Sequence, residues 1–266
     1  MKEPKIALVL SGGASLGFAH VGVLDELIKA GIKPDIIVGT SMGAVVGGAY
    51  ACGLGIEDMM KYVYKMSLMK FVDINFQPQG AFGGTRVTEL LSKIYEDKNI
   101  SDCICEFATI AVDIDEGTQV IMNSGKVLDA VRASMNIPGL LVPYEVDGRS
   151  YIDGGIINNY PDDVAKDMGA DIIIGVDVLK NSYSHSKPKN FVVTLFKSLQ
   201  LLQNTLYEYK ELCSDVIIAP DLKQMSMADF KKDSVDYAIN TGREEAKKYI
   251  QKIKRIIREK KKHIDG

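Results

Sequence analysis

The stretch KIALVLSGGASLGFAHVGVLDELIKAGIKPDIIVGTSMG, from Lys5 to Gly43, constrains the fold more than any other part of the chain. Residues 5–10 are a short apolar run of strand type, and a glycine-rich loop follows. Residues 17–30 carry helical spacing, with Val21, Leu24, Leu27 and Ile28 on one stripe, and Gly31 ends it. Residues 35–38 form a second apolar strand. Strand, helix and strand over so short a length make a βαβ unit, so the two strands are expected to run parallel with a right-handed crossover.

The same alternation continues. Helical patterns occur at 42–52, 56–65, 86–97, 127–135, 163–168, 190–213 and about 233–263. Strand patterns occur at 107–113, 119–123, 142–146, 149–153, 171–177 and 216–219. Asp147-Gly148 is a type I′ hairpin signal, and Ser226-x-x-Asp229 resembles a capping box ahead of the last helix. Strands interleaved with helices, without repeats or a low-complexity linker, predict one α/β domain over residues 1–266 with a mainly parallel sheet.

Composition narrows the function classes. With 46% hydrophobic and 25% charged residues in 266, the chain can build a core without disulfides or metal. No apolar run is long enough to span a bilayer, and the apolar stretch at the N-terminus is too short for a secretory signal; the reading is a cytoplasmic protein. Cys52, Cys103, Cys105 and Cys213 lack zinc-site spacing, and His20, His185 and His263 are scattered, so no metal and no cofactor are expected. From Arg243 to the end ten Lys/Arg accompany four Asp/Glu, without the aromatic interleaving of a nucleic-acid surface. In that tail Ala246, Tyr249, Ile250, Ile253, Ile256 and Ile257 form one apolar stripe among basic residues. Such a helix either lies on an anionic membrane, a peripheral contact at the inner surface, or packs its stripe on the sheet.

Two loops carry the chemistry. GTSMG, residues 39–43, fits G-x-S-x-G where a strand turns into a helix, the context that lifts a serine hydroxyl out of the backbone. Gly39 and Gly43 are the positions where a Cβ would collide across that turn. Gly12, Gly13 and Ala14 follow the neighbouring strand, so their backbone N–H groups lie on the same sheet edge as Ser41. A dinucleotide loop would need G-x-G-x-x-G and an acidic residue ending the second strand, and neither is present. A nucleophile beside backbone donors is the arrangement of acyl transfer. For the base, His185 lies in a polar loop, His263 in the charged tail and His20 on the first helix, where a hydrogen-bonded structural histidine is the ordinary reading. Asp153, ahead of Gly154-Gly155, is the better candidate, although spacing alone does not bring it to Ser41.

The pieces together resemble the patatin-like phospholipase family, in its compact bacterial form. The matching stretches are LSGGASLGFAHVGVL (10–24), GTSMG, the D-G-G region RASMNIPGLLVPYEVDGRSYIDGGIINNYP (132–161), and the C-terminal strand and helix around DVIIAPDL and MADFKKDSVDYAINTGREEA. The resemblance implies a three-layer α/β/α fold and a Ser–Asp dyad without histidine. Ser41 is then the nucleophile, Asp153 the base, and Gly12, Gly13 and Ala14 the oxyanion donors. The implied substrates are fatty acyl esters of lipids, cleaved through an acyl-enzyme. Two positions depart from the pattern: Ala14 stands where the family usually has a third glycine, and Leu16 where it usually has Arg or Lys. The alternative in a different class is a catalytically weak protein of the same fold that binds acyl or membrane ligands. The methionine- and phenylalanine-rich stretch 66–84 either lines an acyl site or packs in the core.

Overall fold

The computed structural model describes residues 3–68, 83–185 and 187–265. The chain runs β1 (Ile6–Leu10), a 3₁₀ turn (Ala14–Phe18), α1 (Ala19–Lys29), β2 (Ile36–Thr40), α2 (Met42–Ala51), α3 (Ile56–Leu68) and α4 (Thr85–Tyr95). It continues β3 (Glu106–Asp113), β4 (Thr118–Met122), α5 (Val127–Ser134), β5 (Tyr144–Val146), β6 (Arg149–Asp153) and α6 (Asp162–Asp167). Then follow β7 (Ile172–Val176), α7 (Phe191–Glu208), β8 (Val216–Ile218) and α8 (Lys232–Asp265).

Among the described residues the sheet has eight strands, in the order β5-β6-β3-β2-β1-β7-β8, with β4 also on β3. β1, β2, β3, β7 and β8 are mutually parallel, whereas β4, β5 and β6 pair antiparallel. Side chains alternate across the central strands. Leu8, Leu10, Ile37, Phe107 and Ile174 join the core under α1, α2 and α8. Ala7, Val9, Ile36, Val38 and Ile110 face the other way and meet Tyr160, Val164 and Ala165 around α6. Helices therefore flank both faces of a central sheet, as the alternating pattern implies.

One register decides where the site lies. β2 pairs with the first half of β3, ending at Thr40 opposite Ile110. β6 pairs with the second half, ending at Asp153 opposite Ala111. β4 pairs with residues 109–113 of β3 and so occupies the opposite edge. β2 and β6 thus share one edge of β3 and meet end to end at Ile110–Ala111. The residues that leave these two strands are brought together although 112 positions separate them.

Three local expectations change. Residues 14–18 form a 3₁₀ turn, so α1 starts at Ala19 instead of Gly17. α7 stops at Glu208 instead of reaching Cys213, because the buried carboxylate of Asp162 takes the backbone N–H groups of Cys213 and Ser214 at 2.7 and 3.0 Å. The last helix starts only at Lys232, so Ser226 and Asp229 lie in the turns ahead of it: Ser226 Oγ accepts from Ala228 N–H at 3.3 Å, and Asp229 accepts from Lys231 N–H at 3.3 Å and from the Ser234 hydroxyl at 2.8 Å.

The basic stripe of the tail is also placed. α8 crosses α1 so closely that a Cβ on Gly22 would lie 1.9 Å from the Ile239 carbonyl oxygen, and one on Gly242 would lie 2.2 Å from that of Ala19. Ala238, Ile239, Ala246 and Ile253 are fully buried there, and Arg243 pairs with Asp25 at 2.7 Å. The stripe packs chiefly on α1, and α8 also touches β8 at the sheet edge; Ala246 and Ile253 are buried, while Tyr249, Ile250, Ile256 and Ile257 are half-buried. Most of the stretch 66–84 lies outside the described residues.

Candidate active site

Ser41 occupies the turn between β2 and α2 with φ 54° and ψ −121°, a conformation that costs a non-glycine residue roughly 1–3 kcal/mol. The surroundings hold it there. A Cβ on Gly43 would lie 2.1 Å from the Leu10 carbonyl oxygen, and one on Gly39 would lie 2.6 Å from the Ala44 nitrogen. The Ser41 N–H donates to the Ser134 hydroxyl at 2.9 Å, and its carbonyl accepts from Val45 N–H at 3.1 Å. The side chain is left to turn toward the end of β6.

There the Ser41 hydroxyl donates to Asp153 Oδ2 at 2.6 Å. Asp153 Oδ1 accepts from Gly155 N–H at 2.7 Å, and the Asp153 N–H donates to the Asn136 carbonyl at 2.9 Å. Of the two glycines after Asp153, Gly154 is sterically demanded, since a Cβ there would stand 2.2 Å from the Ile110 backbone carbonyl oxygen; at Gly155 the nearest atom is the side-chain Nε2 of Gln203, at 2.6 Å. Burial raises the Asp153 carboxyl to about 6, against the pull of the bonds from Ser41 and Gly155. A carboxylate so perturbed and bonded to a serine hydroxyl is poised to accept a proton near neutral pH.

The glycine loop lies alongside. A Cβ on Gly12 would stand 3.2 Å from Ser41 Cβ. The Gly12 N–H is already donated to the Asn159 carbonyl at 3.1 Å, so it differs from the expectation of three donors. Among the described residues the N–H groups of Gly13 and Ala14 have no partner. Both residues share a small cavity with Ser41 and Asp153, 20 Å³ in volume, about room for one water molecule. Ala14 adopts φ 47° without glycine's freedom. Behind it the Ser15 hydroxyl bonds to the carbonyls of Ser226 and Met227 at 3.0 and 2.9 Å, and Ser15 N–H also reaches Met227. Leu16 is packed in the core at 1% exposure, so the loop is anchored by hydrogen bonds and apolar burial where a cation was expected.

An apolar cavity of 220 Å³ opens onto Ser41 and is lined by Met42, Met66, Val87, Met135, Leu140 and Phe196, among others. A larger cavity of 430 Å³ lies beyond Asn159 and Gln203, lined by Asp163, Asp177 and Lys210, and includes neither Ser41 nor Asp153. Only the first has the lining that a hydrocarbon chain requires.

His20 stands apart from this chemistry. Its Nε2 lies 2.8 Å from the Ser11 carbonyl, and complete burial lowers its pKa to about 4. Sequence reading assigned no role to Ser134, Asn136 or Arg132, although all three lie in RASMNIP. Arg132 is buried with neutral partners: its Nε donates to Thr88 Oγ1 at 2.9 Å and its Nη1 to Asn136 Oδ1 at 2.6 Å. Burial lowers its pKa to about 10. It fixes Asn136, and through the Asn136 carbonyl the position of Asp153. An arginine inside an otherwise apolar helical stripe was the only available signal.

Comparison with known proteins bears on the family and the fold. The family described as "Patatin-like phospholipase" matches residues 8–166, from β1 through α6. Patatin-like phospholipase domain-containing protein 7 of Mus musculus is 35% identical over 189 residues, covering 65% of this chain and 13% of the mouse protein. An uncharacterized NTE family protein of Mycobacterium tuberculosis is 32% identical over 178 residues, 66% of this chain and 49% of that protein. The chain therefore spans at most about half the length of these relatives. Among solved structures, VipD from Legionella pneumophila superposes with a TM-score of 0.59 at 14% identity, over 94% of this chain and 67% of that one, a likeness of fold.

Proposed function

Because the chain belongs to the patatin-like phospholipase family, we propose that it is a serine acyl hydrolase that cleaves fatty acyl esters of lipids through Ser41 and Asp153. The observation that carries this reading is the 2.6 Å hydrogen bond from Ser41 to a buried carboxylate, beside an apolar cavity and two backbone N–H groups without a partner among the described residues.

In the proposed reaction the acyl chain lies in the apolar cavity and the ester carbonyl sits over Ser41. Ser41 Oγ attacks the carbonyl carbon while its proton passes to Asp153 Oδ2. The carbonyl oxygen becomes an oxyanion, stabilised by the N–H groups of Gly13 and Ala14. When the intermediate collapses, the carbon–oxygen bond to the alcohol breaks and Asp153 returns the proton to the leaving oxygen. Water then attacks the acyl-enzyme, giving its proton to Asp153. The second collapse releases the fatty acid and restores the Ser41 hydroxyl. Asp153 needs no histidine intermediary, because its Oδ2 already accepts the nucleophile's proton bond directly. His20 takes no part: it is bonded to a backbone carbonyl and held neutral.

The test is a fluorophosphonate probe together with a panel of short- and long-chain esters. Covalent labelling and ester hydrolysis by the wild type, both lost in Ser41→Ala with a fall in kcat of about 10⁵-fold, are expected. Absence of labelling and of hydrolysis in the wild type would replace this reading with that of a catalytically weak acyl-binding protein.

A further inference from the structure

α7 is amphipathic in the inverted sense. Its inward face carries Val192 and Phe196, which line the apolar cavity, but also Gln200 and Gln203, both buried. Gln203 Oε1 has no hydrogen-bond partner among the described residues. The outward face carries Phe191, Leu201, Leu202 and Leu206, and Tyr209 follows just past the helix end. Phe191 is 69% exposed and Leu201 51%. A soluble helix ordinarily points its apolar stripe inward and its polar groups outward. A contiguous exposed apolar face of this kind marks a docking surface.

The polar groups on that face identify the occupant. The exposed hydroxyls of Thr194, Ser198 and Thr205 do not present themselves to solvent. Each donates to the carbonyl four residues earlier, Asn190, Thr194 and Leu201, at 3.0 Å. Hydroxyls satisfied within their own helix enter an apolar medium without leaving an unpaired donor, as polar side chains in lipid must. No carboxylate lies between Phe191 and Tyr207, and Glu208 marks the limit of the face. At the other end Lys187 and Lys189 are exposed and have no ion pair among the described residues. An uncharged apolar face with its hydroxyls internally bonded, approached by lysines, matches the interfacial zone of an anionic lipid layer. A protein partner would instead need directional polar groups at the rim.

We infer that the outward face of α7 is the element by which this chain docks on an anionic lipid surface. The same helix then places lipid next to the cavity that leads to Ser41. This inference rests on the proposed lipid acyl hydrolysis for its purpose, but not for its measurement, since docking is read without turnover.

The experiment is co-sedimentation with vesicles of phosphatidylcholine, alone or mixed with phosphatidylglycerol. Wild type and Ser41→Ala are expected to bind the mixed vesicles equally. A variant carrying Phe191→Gln, Leu201→Gln and Leu202→Gln is expected to lose at least about tenfold in partitioning, from the apolar area removed. Its hydrolysis of a water-soluble short-chain ester and its thermal midpoint should be unchanged, which separates lost docking from lost folding. Lys187→Ala with Lys189→Ala should weaken binding to the mixed vesicles alone. Wild type that binds neither vesicle overturns the inference, as does a glutamine variant that binds as wild type does. A wild-type dimer in sedimentation that dissociates in the glutamine variant also overturns it, assigning the face to a second copy. Vesicle binding without any hydrolysis by the wild type would sink the hydrolase reading and leave the docking face standing.

Discussion

The two loops at the ends of β1 and β2 solve the same steric problem in opposite ways. Each places one non-glycine residue at positive φ, Ala14 at 47° and Ser41 at 54°. The elbow is rigid because backbone crowds it: Gly39 and Gly43 leave no room for a Cβ, and the Ser41 N–H is bonded to Ser134. The glycine loop is held from outside, by Ser15 on the carbonyls of Ser226 and Met227 ahead of α8. Its own N–H groups at Gly13 and Ala14 have no partner among the described residues. The serine N–H of the proposed nucleophile's loop is bonded, whereas the N–H groups of Gly13 and Ala14 in the loop of the proposed donors are not, among the described residues. A donor that must bond a transient oxyanion cannot be committed beforehand. Gly12 illustrates the rule from the other side, since its N–H is spent on Asn159 and is thereby withdrawn from that role.

The largest effect that sharpens this contrast is at the partner of the elbow. Asp153→Asn should keep the fold and lower kcat by about 10²–10⁴-fold, measured on a soluble ester. An unchanged rate would transfer the base to another group. In the wild type, log(kcat/KM) should rise with pH and level off above about 6, because Asp153 must be ionised to accept a proton. The stability term has the opposite sign. A carboxyl whose folded pKa is raised stabilises the native state fully below its unfolded value, and that contribution is lost as pH rises through about 6. Denaturant melts of the Asn variant should lack that loss.

Next in size, Gly43→Ala should destabilise by about 3 kcal/mol, because its Cβ meets the fixed Leu10 carbonyl and not a side chain that can move. A smaller shift in the denaturant midpoint would mean that the elbow is less rigid than the donors' loop, which reverses the comparison. Ser15→Ala should cost about 1 kcal/mol in the same measurement and lower kcat with KM little changed, since it loosens the donors without touching the apolar cavity. The smallest effect is expected at Ala14→Gly, a gain of up to about 1 kcal/mol from relief of the positive φ. Loss of stability there would show that the alanine methyl, which lines the apolar cavity, contributes more than its strain costs.

Much of the fold was legible because its signals are local. The βαβ unit, the elbow serine and the Asp147-Gly148 turn, with φ 51° and 76° at its two central residues, each depend on a few adjacent positions. What the α8 stripe packs against was not legible in the same way. Periodicity reports that a stripe exists, not what covers it, and the cover is α1, approached through Gly22 and Gly242. The exposed face of α7 was hidden by the same ambiguity, since a helical pattern at 190–213 does not say whether Phe191, Leu201 and Leu202 are covered. Arg132 and Asn136 escaped notice because their value lies wholly in whom they touch.

The sequence by itself determined the kind of chain this is: parallel strands with helical crossovers, a serine forced out of a glycine-flanked turn, and an aspartate before two glycines. These follow from backbone sterics and side-chain periodicity, which act over a few residues. Tertiary structure alone decided that Ser41 and Asp153 meet, that Gly12 spends its N–H on Asn159 while Gly13 and Ala14 find no partner among the described residues, and that α7 turns an apolar face outward while the α8 stripe packs on α1. All three depend on how strands register along β3 and on which surfaces close against each other, and that choice is made by packing between segments far apart in the chain.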